Sequence, residues 1–325
     1  MKNEDSLSQL GIGKVSISKE LLGGNSSVLK GVLNDGTVVA IKKYKGDHKR
    51  VSRMLSREHE AITFLHKNGV LNIPELLEVR PDLGLIAFRW IEGTTPPANH
   101  ESMNAILEMS SVLDEMYVCG SRFDNAIDAG FSGGEIESQI LNRTQQMQAS
   151  YPFKWIDDVC NQINERLSKF GSDPMRSHVF HRRTFSFSDL GTHNIIYSDN
   201  RFNFIDFEFF GIDSVNKLVG DFLLHPRNDF NQFEITRFIE ISNKIFKWNF
   251  DELKGFLPIL ALKWAVIAYG RTLRELRLES GNDLPKQKIM KSKGTLYLEY
   301  FDSLWSSRNI DVFTTFRAFE GKVRC

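Results

Sequence analysis

Residues 185–208 read FSFSDLGTHNIIYSDNRFNFIDFE. Two acids and an amide, Asp189, Asn194 and Asp206, are set into a run that is otherwise apolar and aromatic. NIIYS and RFNFID flank the pair Asp199-Asn200, a turn signal, so the stretch reads as a small hairpin. Asp189 and Asn194 lie five apart on the loop that leads into the first strand, and Asp206 closes the return strand. Folding such a hairpin brings Asn194 and Asp206 back toward each other. One carboxylate beside an acceptor hydroxyl can orient it and take its proton. An amide oxygen and a second carboxylate are hard ligands suited to Mg²⁺. The set therefore fits phosphoryl transfer. It also fits plain turn chemistry, with Asp189 and Asn194 as loop residues and Asp206 capping a strand.

Upstream, residues 1–93 read as strand-rich. VSISKELL is followed by GGNSS, VLKGVL, the turn Asn34-Asp35-Gly36 and TVVAIKKY, and an Asp-Gly turn between β-branched runs signals a hairpin. RVSRMLSREHEAITFLHKNG then carries Leu55, Ala61, Ile62 and Leu65 at helical spacing, with Asn68-Gly69 as its stop. Two more short strands are expected in PELLEVR and GLIAFRWI, and Gly93-Thr94-Thr95-Pro96-Pro97 reads as a boundary. Downstream, helices are expected over 101–118, 134–149, 155–169, 231–247, 251–279 and 284–305. The division expected is 1–93 as a small β-rich lobe and 94–325 as a larger helical lobe with one embedded hairpin.

Composition excludes several classes. The chain has 325 residues, 41% of them hydrophobic and 25% charged, which is a globular composition. Lys+Arg and Asp+Glu both number 41, so no net basic field exists to hold nucleic acid or an anionic membrane. Cys119, Cys160 and Cys325 are far apart and show no metal-ligand spacing, so reduced thiols and a cytoplasmic setting are expected. FLPILALKWAVIAYG carries Lys263 and falls short of the ~20 apolar residues of a membrane span, so it reads as a buried helix without membrane insertion.

Lys42 ends the strand Val39-Ala40-Ile41-Lys42. A lysine there either reaches solvent or binds phosphate. Gly23-Gly24-Asn25-Ser26-Ser27, between the first two strands, can bring backbone N–H groups close to phosphate oxygens or can be an ordinary loop. Glu58 sits in the following helix as the preferred ion-pair partner for Lys42, with Glu60 as the competitor and a solvated helix face as the alternative.

Taken together, Gly24-Asn25-Ser26-Ser27, Lys42, Glu58, Asp189-x4-Asn194 and Ile205-Asp206-Phe207-Glu208 resemble the aminoglycoside phosphotransferase and choline kinase superfamily. The resemblance runs from about residue 15 to 270 and implies an α+β, bilobal, protein-kinase-like fold. Residue by residue, it implies Asp189 as catalytic base and Asn194 and Asp206 as Mg²⁺ ligands. It implies Lys42, braced by Glu58, on the α- and β-phosphates of ATP, or of GTP in its place. The Gly24, Ser26 and Ser27 backbone would cover the phosphates, and backbone groups near Arg89 and Ile91 would read the base. Asp221 resembles a later acid that braces the catalytic loop, and equally suits a helix cap. The family's loop usually reads His-Gly-Asp-x4-Asn; here it reads Phe187-Ser188-Asp189-x4-Asn194.

The implied activity is transfer of the γ-phosphoryl group to a small-molecule hydroxyl, with a sugar or sugar-like acceptor expected. Aminoglycosides, choline or amino alcohols are the alternatives, and a non-catalytic nucleotide-binding pseudokinase is a further one. A protein kinase is disfavoured, because position 188 is Ser rather than Arg and Asp206 runs directly into GIDSVNKLVGDF without an activation segment. Asp114, Glu115, Asp124, Asp128, Glu135, Glu137, Asp157 and Asp158 could face a polycation; Phe123, Tyr151, Phe153 and Trp155 could cage a quaternary amine; Arg182, Arg183 and Arg227 could meet an anion.

Overall fold

A computed structural model describes residues 11, 15–22, 26–151, 153–278 and 284–306, with backbone only for 22, 274–278 and 284–290. The chain divides into two compact units: Met1–Pro97 with Cys119–Ile127 and Thr192–Gly211, and Ala98–Val118 with Asp128–Gly191 and Ile212–Cys325.

The first unit is built on five antiparallel strands in the order β1 (Val15–Leu22), β2 (Ser26–Leu33), β3 (Val38–Tyr44), β5 (Leu85–Arg89), β4 (Leu76–Arg80). The β2–β3 turn is closed by Asp35, whose Oδ1 accepts from Thr37 N at 2.9 Å, and Gly36 takes φ +86°. Leu29, Val39, Ile41, Leu85 and Ala87 form the apolar face. Strand alternation sends Lys42 to the other face of β3 from Ile41. Helix α1 (His48–Lys67) is capped by Asp47, which accepts from Arg50 N at 2.9 Å. It buries Met54, Leu55, Glu58, Ala61, Ile62 and Leu65, a single stripe at helical spacing.

The hairpin of the opening stretch also belongs to this unit. β7 (Ile195–Ser198) pairs with β8 (Arg201–Phe204). Asp199 and Asn200 take φ +47° and +60°, the two left-handed positions of a type I′ turn, where Asn and Asp are tolerated best. The hairpin is tied down by exchange of hydrogen bonds between Thr94 and Tyr197 and by Phe204 N donating to Asn72 O at 2.9 Å. Gly93 makes the close approach feasible: a Cβ there would lie 2.3 Å from Tyr197 O.

The second unit is mainly helical: α2 (His100–Val118), α3 (Gly133–Ser150), α4 (Lys154–Phe170), α5 (Val215–Leu224), α6 (Gln232–Phe246), α7 (Phe250–Leu278) and α8 (Leu284–Ser306). A two-stranded pair, β6 (Arg183–Ser186) with β9 (Gly211–Ser214), precedes α5. The periodicity reading did not anticipate β6, β9 or α5. α5 is only ten residues long, and its polar stripe of Asn216, Lys217 and Asp221 is buried with the rest of the helix instead of facing water. Gly220 lets α5 close on α7, since a Cβ there would meet Leu260 at 2.4 Å. The segment Phe250–Leu273 of α7 is long and apolar enough to cross a membrane by composition, but most of it is buried in the fold.

Polar residues inside α5 are satisfied by a closed ionic network. Lys217 Nζ lies 2.7 Å from Asp213 and 2.9 Å from Asp221, one helical turn to either side. Asp213 Oδ1 also accepts from Gly130 N at 2.9 Å and Ser214 N at 2.8 Å, and Trp264 Nε1 donates to Asp221 at 2.9 Å. Burial pulls the Lys217 ammonium down, but Asp213 and Asp221 outweigh it and hold it above the ordinary lysine range. Asp221 therefore sits mid-helix as an anchor for Lys217 and Trp264, not as a helix cap.

Lys263 is the second cation of this network and sits 3.8 Å from Asp221. Burial, opposed by Asp221 and reinforced by Lys217, pushes its amine down to about 8. An unfolded lysine titrates near 10.4. Below pH ~8 the ammonium is charged in both states and the folded chain carries the full penalty, roughly 3 kcal/mol. Between those values the unfolded chain binds more protons, so stability rises with pH. Lys263→Met is expected to raise the melting temperature at pH 7, with the gain shrinking by pH 10. Melts at the two pH values check this, and an equal loss at both would show instead that Lys263 is net stabilising through Asp221.

Candidate active site

Within the first unit, the face of the sheet opposite the apolar cluster carries one buried cation. Lys42 is paired with Val28 on β2 and Ile86 on β5, so its backbone is fixed in the middle of the sheet. Its Nζ lies 2.8 Å from Glu58 Oε2, 2.5 Å from Asp206 Oδ1 and 3.1 Å from Glu208 Oε2. Glu58 projects from the buried stripe of α1, whereas Glu60 is exposed, which decides between the two candidates. Glu58 also accepts hydrogen bonds from the Tyr44 hydroxyl and, at 3.2 Å, from Phe207 N. Burial pulls the Lys42 ammonium down, but Asp206, Glu58 and Glu208 outweigh it and keep it protonated well above the usual lysine range.

Asn194 and Asp206 flank the base of the hairpin. Ile205 N donates to Asn194 O at 2.9 Å, extending the β7–β8 ladder by one step, and Asp206 follows immediately. Asp206 lies two residues past the end of β8 and takes φ +70°, a left-handed conformation unusual outside glycine. Its side chain keeps 33% of its surface open, against 3% for Glu58 and for Glu208. Oxygen ligands from Asp206, Glu58 and Glu208 come within 4.8 Å of one another, oxygen donors of the kind Mg²⁺ takes.

The remaining first-unit candidates are distributed as follows. Ser26 and Ser27 start β2 and are buried, opposite Tyr44 and Lys43. Gly24 lies outside the described residues. Arg89 is exposed at the end of β5 and paired with Glu75 at 2.6 Å. Its amide donates to Glu75 O and that of Trp90 to Val38 O, so both are consumed by local structure. Ile91 follows the strand and is half-buried.

Asp189 belongs to the second unit, three residues beyond β6. Ser188 before it takes φ +61°, and its amide donates to Ser186 Oγ at 3.0 Å. Asp189 Oδ1 lies 2.8 Å from His225 Nε2. Neither His225 nor the Glu208 contact with Lys42 was expected. Glu208 stands inside an apolar run, as Asp206 does, which was the signal available for it; His225, followed by Pro226-Arg227-Asn228-Asp229, carried none.

The groups considered for acceptor binding are largely committed elsewhere. Asp114 pairs with Arg182 at 2.5 Å, Asp128 with Arg143 at 2.5 Å and Glu137 with Arg176 at 2.5 Å. Glu135 accepts from Phe131 N at 2.7 Å. Arg183 stacks over Phe131 at 4.4 Å. Phe123 packs on Phe64 and Phe210 in the first unit, and Trp155 lies under Lys291 in the second.

Solved structures share this architecture. A choline/ethanolamine kinase family protein from Mesorhizobium loti aligns over 98% of both chains with TM-score 0.60 at 14% identity. A choline kinase from Cryptosporidium parvum aligns over 93% of both with TM-score 0.61 at 10% identity. A spectinomycin phosphotransferase, solved with ADP and spectinomycin, aligns over 98% of both with TM-score 0.56 at 15% identity. The chain has their kinase-like fold. Its α+β arrangement, an antiparallel sheet followed by a helical region, is the one these kinases share. No family model and no curated protein matches the sequence.

The kinase-like fold concentrates three carboxylates on one cation, which gives a direct test of the cluster. Lys42→Met leaves Glu58, Asp206 and Glu208 crowded without their cation. At pH 7 the loss of stability is expected to be about 3–5 kcal/mol. The deficit should shrink toward pH 5, because the crowded carboxylates of the variant take up protons more readily than those of its unfolded chain. Urea denaturation at the two pH values measures this. Wild-type stability of the variant at pH 7 would show that Lys42 does not hold the cluster.

Proposed function

We propose that the protein is a Mg²⁺- and ATP-dependent small-molecule kinase that phosphorylates a hydroxyl group. The observation that carries this reading is Lys42 held by Glu58 and Asp206, with the Asn194 backbone paired to Ile205, the residue before Asp206. An ammonium fixed in a sheet and braced by a helix glutamate suits the α- and β-phosphates of ATP. Asn194 and Asp206 would hold Mg²⁺, which neutralises charge on the phosphate oxygens when bound. Asp206, in a left-handed turn, stays on Lys42 while keeping part of its carboxylate surface open. The backbone of Gly24, Ser26 and Ser27 would cover the phosphates. With the Arg89 amide consumed, Ile91 is the residue in this segment that would read adenine. Asp189 is assigned as the base that accepts the hydroxyl proton. Its side chain keeps 31% of its surface open, as that role requires.

A sugar or sugar-like acceptor fits better than a polycation or a quaternary amine. Three of the carboxylates that could have met an aminoglycoside, Asp114, Asp128 and Glu137, are paired with arginines, and the Trp155 ring that could have caged choline is covered by Lys291.

Incubation with Mg²⁺-ATP and a panel of sugars, amino alcohols and aminoglycosides, read by mass spectrometry, is expected to show one phosphorylated class. Absence of product across the panel would favour a nucleotide-binding protein without catalysis. Asp189→Asn is expected to lower transfer by about 10²- to 10⁴-fold with ATP affinity nearly unchanged, since it removes the base and not a metal ligand. Asp206→Asn should weaken Mg²⁺-dependent nucleotide binding itself. Equal affinity in that variant, measured by titration calorimetry with Mg²⁺-ADP, would remove Asp206 from the metal site.

A further inference from the structure

Asp189 is held by a turn that follows α5. His225, the first residue past that helix, is buried, and its Nε2 lies 2.8 Å from Asp189 Oδ1. The other ring nitrogen sets the tautomer: Nδ1 accepts from Arg227 N at 3.1 Å, so the proton resides on Nε2, which donates to the carboxylate. The ring stands edge-on to Trp264, with centroids 5.0 Å apart at 84°. Trp264 is itself fixed by Asp221, and Leu224 O accepts from the Tyr297 hydroxyl. Asn228, in the same turn, donates to Leu190 O at 3.0 Å and to Phe222 O at 3.0 Å. The turn thus grips both Asp189 and the residue after it.

A buried imidazole is a costly way to fill space, because each of its polar atoms must be matched. Here both are matched, and one match falls on a carboxylate that remains open to solvent at 31%. On the other side Ser188 adopts a left-handed conformation, which costs about 1–2 kcal/mol outside glycine and has to be offset by surrounding contacts. Strain on one side and a directed donor on the other leave the Asp189 carboxylate little freedom to rotate.

We propose that His225 is a positioning residue for phosphoryl transfer, a neutral imidazole whose Nε2–H orients the Asp189 carboxylate toward the acceptor hydroxyl. The proposal rests on the kinase reading above. In the step, the acceptor O–H bond breaks and its proton passes to Asp189. The acceptor oxygen bonds to the γ-phosphorus, and the bond from that phosphorus to the bridging oxygen breaks, with ADP leaving with the electron pair. His225 keeps its own proton throughout.

The test uses the full chain, Mg²⁺-ATP and whichever panel compound the wild type phosphorylates, with slow transfer to water followed alongside. His225→Leu is expected to lower kcat about tenfold to a hundredfold, the scale of a misplaced catalytic group, with KM for ATP unchanged. His225→Gln offers an amide N–H at similar reach and should recover most of the loss. Wild-type kcat in His225→Leu would overturn the proposal. So would a His225→Gln variant that folds but is as slow as His225→Leu, which would mark ring packing on Trp264 as the role. If His225→Leu does not fold, wild-type-like kcat in His225→Gln still supports the proposal and loss of kcat there overturns it. If the wild type transfers phosphate neither to any panel compound nor to water, the kinase reading fails and this proposal falls with it. Active wild type with indifferent variants removes the positioning role alone.

Discussion

The first unit depends on one ammonium group. Lys42 joins a central strand, the buried stripe of α1 and the segment leaving the hairpin, because Glu58, Asp206 and Glu208 come from those separate places and meet on one nitrogen. Taking Lys42, Glu58 and Glu208 out of water is expensive, and the arrangement is tolerable because each carboxylate has a cation or a backbone donor. Phe207 N and the Tyr44 hydroxyl complete Glu58. The acids nonetheless outnumber the cation. A cluster that is short of positive charge and keeps one member a third open is where the proposed divalent ion would add the missing charge.

The second unit buries charge in the opposite way. Lys217, Lys263, Asp213 and Asp221 are matched in number, and Asp213 is wholly shielded. Nothing is left for a ligand to complete, so this network is architecture. The contrast separates the two clusters on physical grounds. Both are buried, both join distant parts of the chain, and both shift the titration of their lysines. A matched and sealed network fixes a helix, whereas an unmatched one with an open edge is available for chemistry.

Legibility in the sequence followed the same division. The β2–β3 hairpin was readable because Asp35-Gly36 is a local turn signal, and the β7–β8 hairpin because Asp199-Asn200 separates two apolar runs. Glu58 could be preferred over Glu60 because of its spacing to the apolar positions Ile62 and Leu65. α5 went unread because it is ten residues long and its polar stripe is buried, so Lys217 and Asp221 look out of place until their partners 4 to 43 residues away are known. β6 and β9 are four residues each and pair across a long separation, which leaves no local signal. Likewise nothing near Asp189 announces an imidazole that arrives from 36 residues further along.

α5 is therefore more than a core helix. At its start, Val215 N donates to Arg182 O at 3.0 Å, next to the strand that leads to Asp189. At its end, His225 and Asn228 hold Asp189 and Leu190. A ten-residue helix is about 15 Å of rigid rod. The Lys217 network sets its register, and Trp264 connects that network to the His225 ring. The carboxylate on which the proposed chemistry turns is thus placed by a rod clamped at both ends, and the orientation of its side chain is inherited from a buried ion network that itself touches no ligand. Positioning by rigid elements is what a catalytic carboxylate needs, since its effect falls steeply with small displacements. Here the element that supplies it is the one whose sequence discloses least.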